Sequence, residues 1–181
     1  MADGKINCPA CGDEIESIEA GCPRCGPLSE HMRDGIFLPG PRGPVNDFAF
    51  LFSEEQYNEL TKRRDKHFAD TKIPVVVATV WSSDPLSPSD YAHLLYNWWG
   101  IGKKKVNRGV LILICITKRW VESEVGLGLE KYIGEQETDE ALRVVAGPFF
   151  QEGKYYDGTI AAVEYIARMI ESKVPGLKAK K

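Results

Sequence analysis

Two stretches of this 181-residue chain leave little freedom in how its centre folds. "IPVVVATV", Ile73 to Val80, and "GVLILICI", Gly109 to Ile116, are continuous apolar runs rich in β-branched residues. A strand that is apolar on both faces must be covered on both, which is the habit of parallel sheets rather than of alternating antiparallel ones. Between them stands a helix signal. Ser87-Pro88-Ser89-Asp90 opens it with proline in the first turn, Tyr91, Leu94, Leu95 and Trp98 follow, and Gly100 closes it. Strand, helix, strand implies a parallel pair with a right-handed crossover. Thr117-Lys118-Arg119-Trp120 then turns the chain into a third strand, Val121 to Val125. The expected fold class is therefore α/β: a small mixed sheet sandwiched between helices, α/β/α.

Helix signals flank this centre. Ser53-Glu54-Glu55-Gln56 is a capping box, and Tyr57, Leu60 and Phe68 extend a helix to about Ala69. Thr138 to Phe150 and Tyr156 to Ile170 read as two more, the second with Ile160, Val163, Ile166, Ala167 and Ile170 on one face. The expected order is α, β, α, β, β, α, α. Cys115, inside the second strand, reads as a buried structural thiol. His31, His67 and His93 are scattered, and the latter two read as surface or cap residues in helices.

The other four cysteines lie near the start, in "CPACGDEIESIEAGCPRCG". Cys8 and Cys11, then Cys22 and Cys25, each stand in a Cys-Pro-x-Cys-Gly turn. Two thiolates two residues apart can grip one ion from a tight turn. The glycine lets the backbone fold back so that amides face the sulfurs. Two such turns supply the four thiolates of a closed structural zinc site. Two disulfides are the alternative in an oxidising compartment, and iron is a remoter one. The chain opens without the basic and apolar regions of a signal peptide, and its longest apolar run, Val110 to Ile116, is far short of a membrane span. A cytoplasmic location with reduced thiols is the expectation.

These signals divide the chain into a zinc ribbon at residues 1–26, a Pro/Gly-rich linker at 27–44, an α/β/α domain at 45–172 and a basic tail at 173–181. Ile36, Phe37 and Leu38 are candidates to dock from the linker onto the domain. Ribbon and domain are expected to unfold independently. A net charge of −3 gives no general reason to bind nucleic acid, so only the ribbon offers that route. The lysine runs Lys103-Lys104-Lys105 and Lys178 to Lys181 read as solvated.

"ESEVGLGLEKYIGE", Glu122 to Glu135, puts two glycines after a strand. It is not a dinucleotide fingerprint, because Lys131 stands where the third glycine belongs and the preceding strand is a hairpin arm. No Walker loop or G-x-S-x-G elbow occurs. The glycines instead read as a sharp turn off the strand. Antiparallel return of the third strand gathers Asn107, Glu124, Glu130, Glu135 and Asp139 at one edge, an oxygen-rich set suited to Ca2+ or Mg2+. The opposite edge collects Asp47, Asp84, Asp157 and the helix start at Ser87. Both sets have a plainer reading, as caps of turns and helices.

Five pieces, "VNDFAFLFS", "VVVATV", "WWGIGKKKVNRGVLILI", "ESEVGLGLE" and "PFFQEGKYYDGTIAAV", occur in an order and spacing that resemble the TPM domain. The resemblance implies an α/β/α sandwich. It also implies acid phosphatase activity in some members, divalent-cation binding in others, and a role in maintaining membrane protein complexes. By position it points to Asp47, Glu124, Glu130 and Asp157. This chain departs from the pattern at Asn107-Arg108, where a fixed positive charge replaces a negative ligand, at Glu122, where arginine is usual, and at Glu135 or Asp139, where the late aspartate is offset. The expected function is a zinc-ribbon-tethered, cation-binding interaction or assembly module with an unidentified protein partner and no membrane span. The alternative is a metal-assisted phosphomonoester hydrolase with Glu130 or Glu124 as the catalytic carboxylate.

Overall fold

The computed structural model describes residues 5–102 and 105–177. Two short antiparallel strands, β1 (Ile6–Asn7) and β2 (Glu14–Ile15), frame the first cysteine turn. The segment expected to be a linker is ordered: after a single 3-10 turn at Ser29–His31 it forms a second small hairpin, β3 (Met32–Arg33) with β4 (Ile36–Phe37). Phe37 and Leu38 are buried and Ile36 packs half-buried beside them.

The main sheet has four strands in sequential order. They are β5 (Val45–Asp47), β6 (Val75–Val80), β7 (Val110–Cys115) and β8 (Trp120–Val125). The first three run parallel and β8 returns antiparallel, with Val125 beside Val110. β5 was not expected: three residues are too few for a periodic signal, and pairing with β6 makes the strand. Its connection to β6 is α1 (Glu54–Thr71), opened by the expected Ser53–Gln56 capping box. β6 and β7 are joined by α2 (Pro88–Trp99), with Ser87 as N-cap.

After β8 comes a short helix, α3 (Leu127–Glu130), where a plain turn was expected. The helix expected over Thr138 to Phe150 is two, α4 (Glu135–Val145) and α5 (Gly147–Gln151). Pro148, which has no N–H to continue the ladder, stands just past the break. α6 (Tyr155–Lys173) runs longer than expected, and Val174 is buried in the core, so the chain from Lys173 is not simply a tail. Residues 178–181 and Lys103-Lys104 lie outside the described residues.

Both faces of the sheet are covered, by different means. Val77, Ile112, Ile114, Val121 and Val125 pack against Leu60 of α1, Leu142 of α4, Phe150 of α5 and Ile166 and Ile170 of α6. On the other face, Val76, Ala78, Leu111, Leu113 and Cys115 meet Tyr91 and Leu95 of α2. One helix about 10 Å wide cannot roof a sheet whose outer strands lie about 14 Å apart. The remainder is covered by Cys8, Ala10, Cys11, Leu28, Phe37 and Leu38, which join the same cluster. Polar pins fix the cover. The Tyr91 hydroxyl donates to the Phe37 carbonyl at 2.6 Å, and Trp99 Nε1 donates to the Pro39 carbonyl at 2.7 Å. The Trp81 amide donates to the Ala10 carbonyl at 2.8 Å. Cys115 is buried as expected.

Candidate functional site

The four cysteines converge on one point. Their sulfurs all lie within 4.8 Å of one another, with Cys8 to Cys25 at 3.8 Å and Cys11 to Cys22 at 3.7 Å. A tetrahedron of zinc–sulfur bonds about 2.3 Å long has edges of about 3.8 Å, so the spacing fits a four-thiolate zinc site. The two turns are built alike. The Gly12 amide donates to the Cys8 carbonyl at 2.9 Å and the Gly26 amide to the Cys22 carbonyl at 2.8 Å. Gly12 and Gly26 have φ of +84° and +83°, which the fold-back demands and a side chain resists. Burial pushes the Cys11 thiol up to about 12 and raises Cys25 as well. Four thiolates cannot share this space without a cation among them.

A second constellation lies along the edge strand β8. Its alternation sends Val121 and Val125 into the core. Glu122 and Glu124 are nonetheless buried, at 4% and 7% exposure. Trp120 Nε1 donates to Glu122 Oε2, and Arg143 of α4 stands 3.9 Å from Oε1. His93 Nδ1 donates to Glu124 Oε1 at 2.9 Å, a tautomer consistent with Asn97 Nδ2 donating to Nε2. Asp139 of α4 accepts the Ser123 amide at 2.8 Å and the Ser123 hydroxyl at 2.6 Å, both on Oδ1. That contact covers a backbone donor of the edge strand.

A cleft of about 550 Å³ runs here, lined among others by Ser87, Ser89, Glu122, Glu135, Asp139 and Arg143. Burial first, then hydrogen bonding and repulsion from Asp139, push Glu122 up to about 8. Burial, then the charges of Glu124, Asp139 and Glu130, push Glu135 up to about 7. The arrangement can exchange protons near neutrality and offers oxygens from a strand and a helix.

The expected glutamate edge is thus brought together in part. Glu135 lies near Glu124 and Asp139, and Glu130 is exposed but close enough to act on Glu135. Asn107 is otherwise engaged, since its Oδ1 accepts from the Tyr96 hydroxyl at 2.9 Å. Arg108 Nε donates to the Gly128 carbonyl at 3.4 Å, and its guanidinium lies over Tyr132. Glu122, set aside as a family departure, is the best-buried acid of the groove. Its signal was present: an acid in a strand whose alternate residues are apolar.

The second edge does not form one site. Asp47 is engaged by its own turn and the neighbouring strand, accepting the Leu51 and Phe52 amides at 3.0 and 2.9 Å and the Thr79 hydroxyl of β6. Asp84 pairs with Ser82 and Lys118, which hold it below the usual carboxylate range. Asp157 is exposed in the first turn of α6. The helix start at Ser87 belongs instead to the cleft beside Glu122. His67, expected at the surface, is 5% exposed between α1 and α6, and burial lowers its pKa. Among the described residues, only the four cysteines bring three or more potential ligand atoms within 4.8 Å of one another.

Comparison with known proteins decides the affiliation of the larger part. The TPM domain matches residues 45–169. The chain belongs to the TPM domain family. No curated protein matches it in sequence. Three solved structures share the TPM-domain chain's fold. The N-terminal domain of a protein from P. gingivalis is 24% identical, with TM-score 0.66 over 76% of this chain and 87% of that one. BA42 from the psychrophilic Bizionia argentinensis is 13% identical, with TM-score 0.58 over 66% and 81%. The N-terminal domain of cg2496 from Corynebacterium glutamicum is 12% identical, with TM-score 0.57 over 77% and 85%. No helix among the described residues is long and apolar enough to cross a membrane.

Proposed function

We propose that this TPM-domain chain is a divalent-cation-binding interaction module, with Zn2+ held by Cys8, Cys11, Cys22 and Cys25 and Ca2+ or Mg2+ taken by the groove along β8. The observation that carries the second part is the crowding of Glu122, Glu124, Glu135 and Asp139 at one strand edge, most of them deeply buried. Proximity of like charges is costly, and a hard cation coordinated by their free oxygens relieves it. Asn107 and Asp47 fall out of the ligand set because their oxygens already have partners. The exposed face of the ribbon carries Glu14, Glu16 and Glu19, which favours a basic protein partner over nucleic acid.

A hydrolytic reading uses the same groove. It is favoured by one feature: burial keeps Glu122 protonated near neutral pH, as a general acid must be, beside the cationic Arg143.

Titrating Ca2+ and Mg2+ into the zinc-loaded full chain, followed by amide NMR, tests both. Shifts are expected to centre on Glu122–Glu124 and Glu135–Asp139, with Glu135→Gln weakening affinity by about tenfold. An absence of saturable shifts there sinks the cation reading. Cation-dependent turnover of a generic phosphomonoester that Glu122→Gln abolishes would move the chain to the enzymes.

A further inference from the structure

The cysteine module does more than append a small fold to the TPM domain. Its first turn is seated in the sheet. The Ala10 and Pro9 carbonyls accept the Trp81 and Ser82 amides at 2.8 and 3.2 Å, continuing the backbone bonding past the end of β6. Gly12 lies flat against the Trp81 indole, so that a Cβ there would stand 2.3 Å from the ring. Arg24, next to Cys25, stacks over Phe50 at 4.6 Å. Cys8, Ala10, Cys11 and Cys22 are buried in the same cluster as Val76, Ala78, Val80 and Cys115. Cys115 lies just beneath, its Sγ 3.9 Å from the Trp81 carbonyl.

A module this small, with only two-residue strands, cannot hold its shape by its own core. Its apolar face is held in place by the cysteine cluster. We infer that the cysteine module is a metal-dependent cover for one face of the TPM sheet, and that loss of its ion opens that face and loosens the domain. This rests on the reading that the cysteines hold an ion. The sheet's other face, roofed by α1, α4, α5 and α6, has no such dependence. The cover also spans the chain between: residues 28–39 reach the sheet through Leu28, Phe37 and Leu38 and are pinned to α2 by Tyr91 and Trp99.

Pulsed alkylation of the full chain, with peptide mapping at Cys115, tests this before and after removal of metal by a chelator. Bound zinc is measured separately by metal analysis. Cys115 is expected to react at least about tenfold faster once the metal has left, following the open population. The melting temperature of the main transition is expected to fall by about 10 °C. Trp81→Ala in the zinc-loaded chain separates cover from ligands: it leaves both cysteine turns unaltered, so zinc content is expected to hold, while removal of the indole against which Gly12 rests is expected to raise Cys115 reactivity. A chain without bound zinc refutes the metal reading itself. Zinc that is bound and then removed, with Cys115 protection and melting unchanged, overturns the cover while leaving the metal site intact.

Discussion

Gly126 and Gly128 are the residues on which a nucleotide reading would have rested, and their surroundings give them another use. A Cβ on Gly126 would sit 2.2 Å from the Tyr96 hydroxyl and 2.3 Å from the Asn107 carbonyl oxygen. On Gly128 it would sit 2.1 Å from the Val106 carbonyl oxygen. The Gly128 amide donates to the Asn107 carbonyl at 2.9 Å, so the two backbones touch. The pair permits close approach of α3 to the loop before β7, and no ligand is needed to explain it. Gly128→Ala should therefore cost about 1–3 kcal/mol, because the clash is with backbone and not with a side chain that can swing away. Chemical denaturation measures it, and a neutral result would show that the contact is loose. Asp47 teaches a similar lesson. Its family position suggests a ligand, but three donors within its own fold saturate it.

At the scale of elements, β8 carries most of the candidate groove. It is an edge strand, and such edges need cover. Asp139 supplies part of it from α4, which is why α4 is drawn against the strand and why acids from both collect. The consequence is a pH dependence whose sign follows from Glu122. Its folded pKa is raised from 4.5 to about 8, so the folded chain holds a proton that the unfolded chain releases. Stability is then fully present below about pH 4.5 and is lost as pH rises toward about 8, by up to roughly 1.4 kcal/mol per pH unit. In the absence of divalent cations, melting temperature should decline between about pH 5 and pH 8. Glu122→Gln should reduce that decline, since the amide stays neutral throughout, and leave the smaller part that comes from Glu135, raised in the same sense. A slope unchanged by the substitution would remove Glu122 as its source.

For the whole molecule, the consequential feature is that the two faces of the sheet differ in kind. One is roofed by four helices and the other by α2, a hairpin and the cysteine module. The expectation of independent parts does not fit this geometry, because the ribbon and domain share one buried cluster. A chain cut back to residues 45–181 would leave Val76, Leu111 and Leu113 under incomplete cover. It should bind a hydrophobic dye and self-associate where the full chain does not, as light scattering would show. A monomeric, dye-silent fragment would mean that α2 suffices.

The sequence by itself determined whatever depends on short-range pattern. Unbroken β-branched runs marked β6 and β7, Ser53 and Ser87 marked two helix starts, and paired Cys-Pro-x-Cys-Gly turns marked a four-sulfur cluster. Each signal is complete within a few residues, because period, capping and ligand spacing are local. Tertiary structure decided the rest. It made a strand of Val45–Asp47 by pairing it with β6, seated the cysteine module on the sheet, and turned Asn107 and Asp47 toward partners of their own. It also buried Glu122 among other acids. These outcomes depend on which surfaces meet across the sheet. A face too wide for one helix takes whatever apolar segment can reach it, and the reach of a segment is fixed by the folded chain rather than by its own residues.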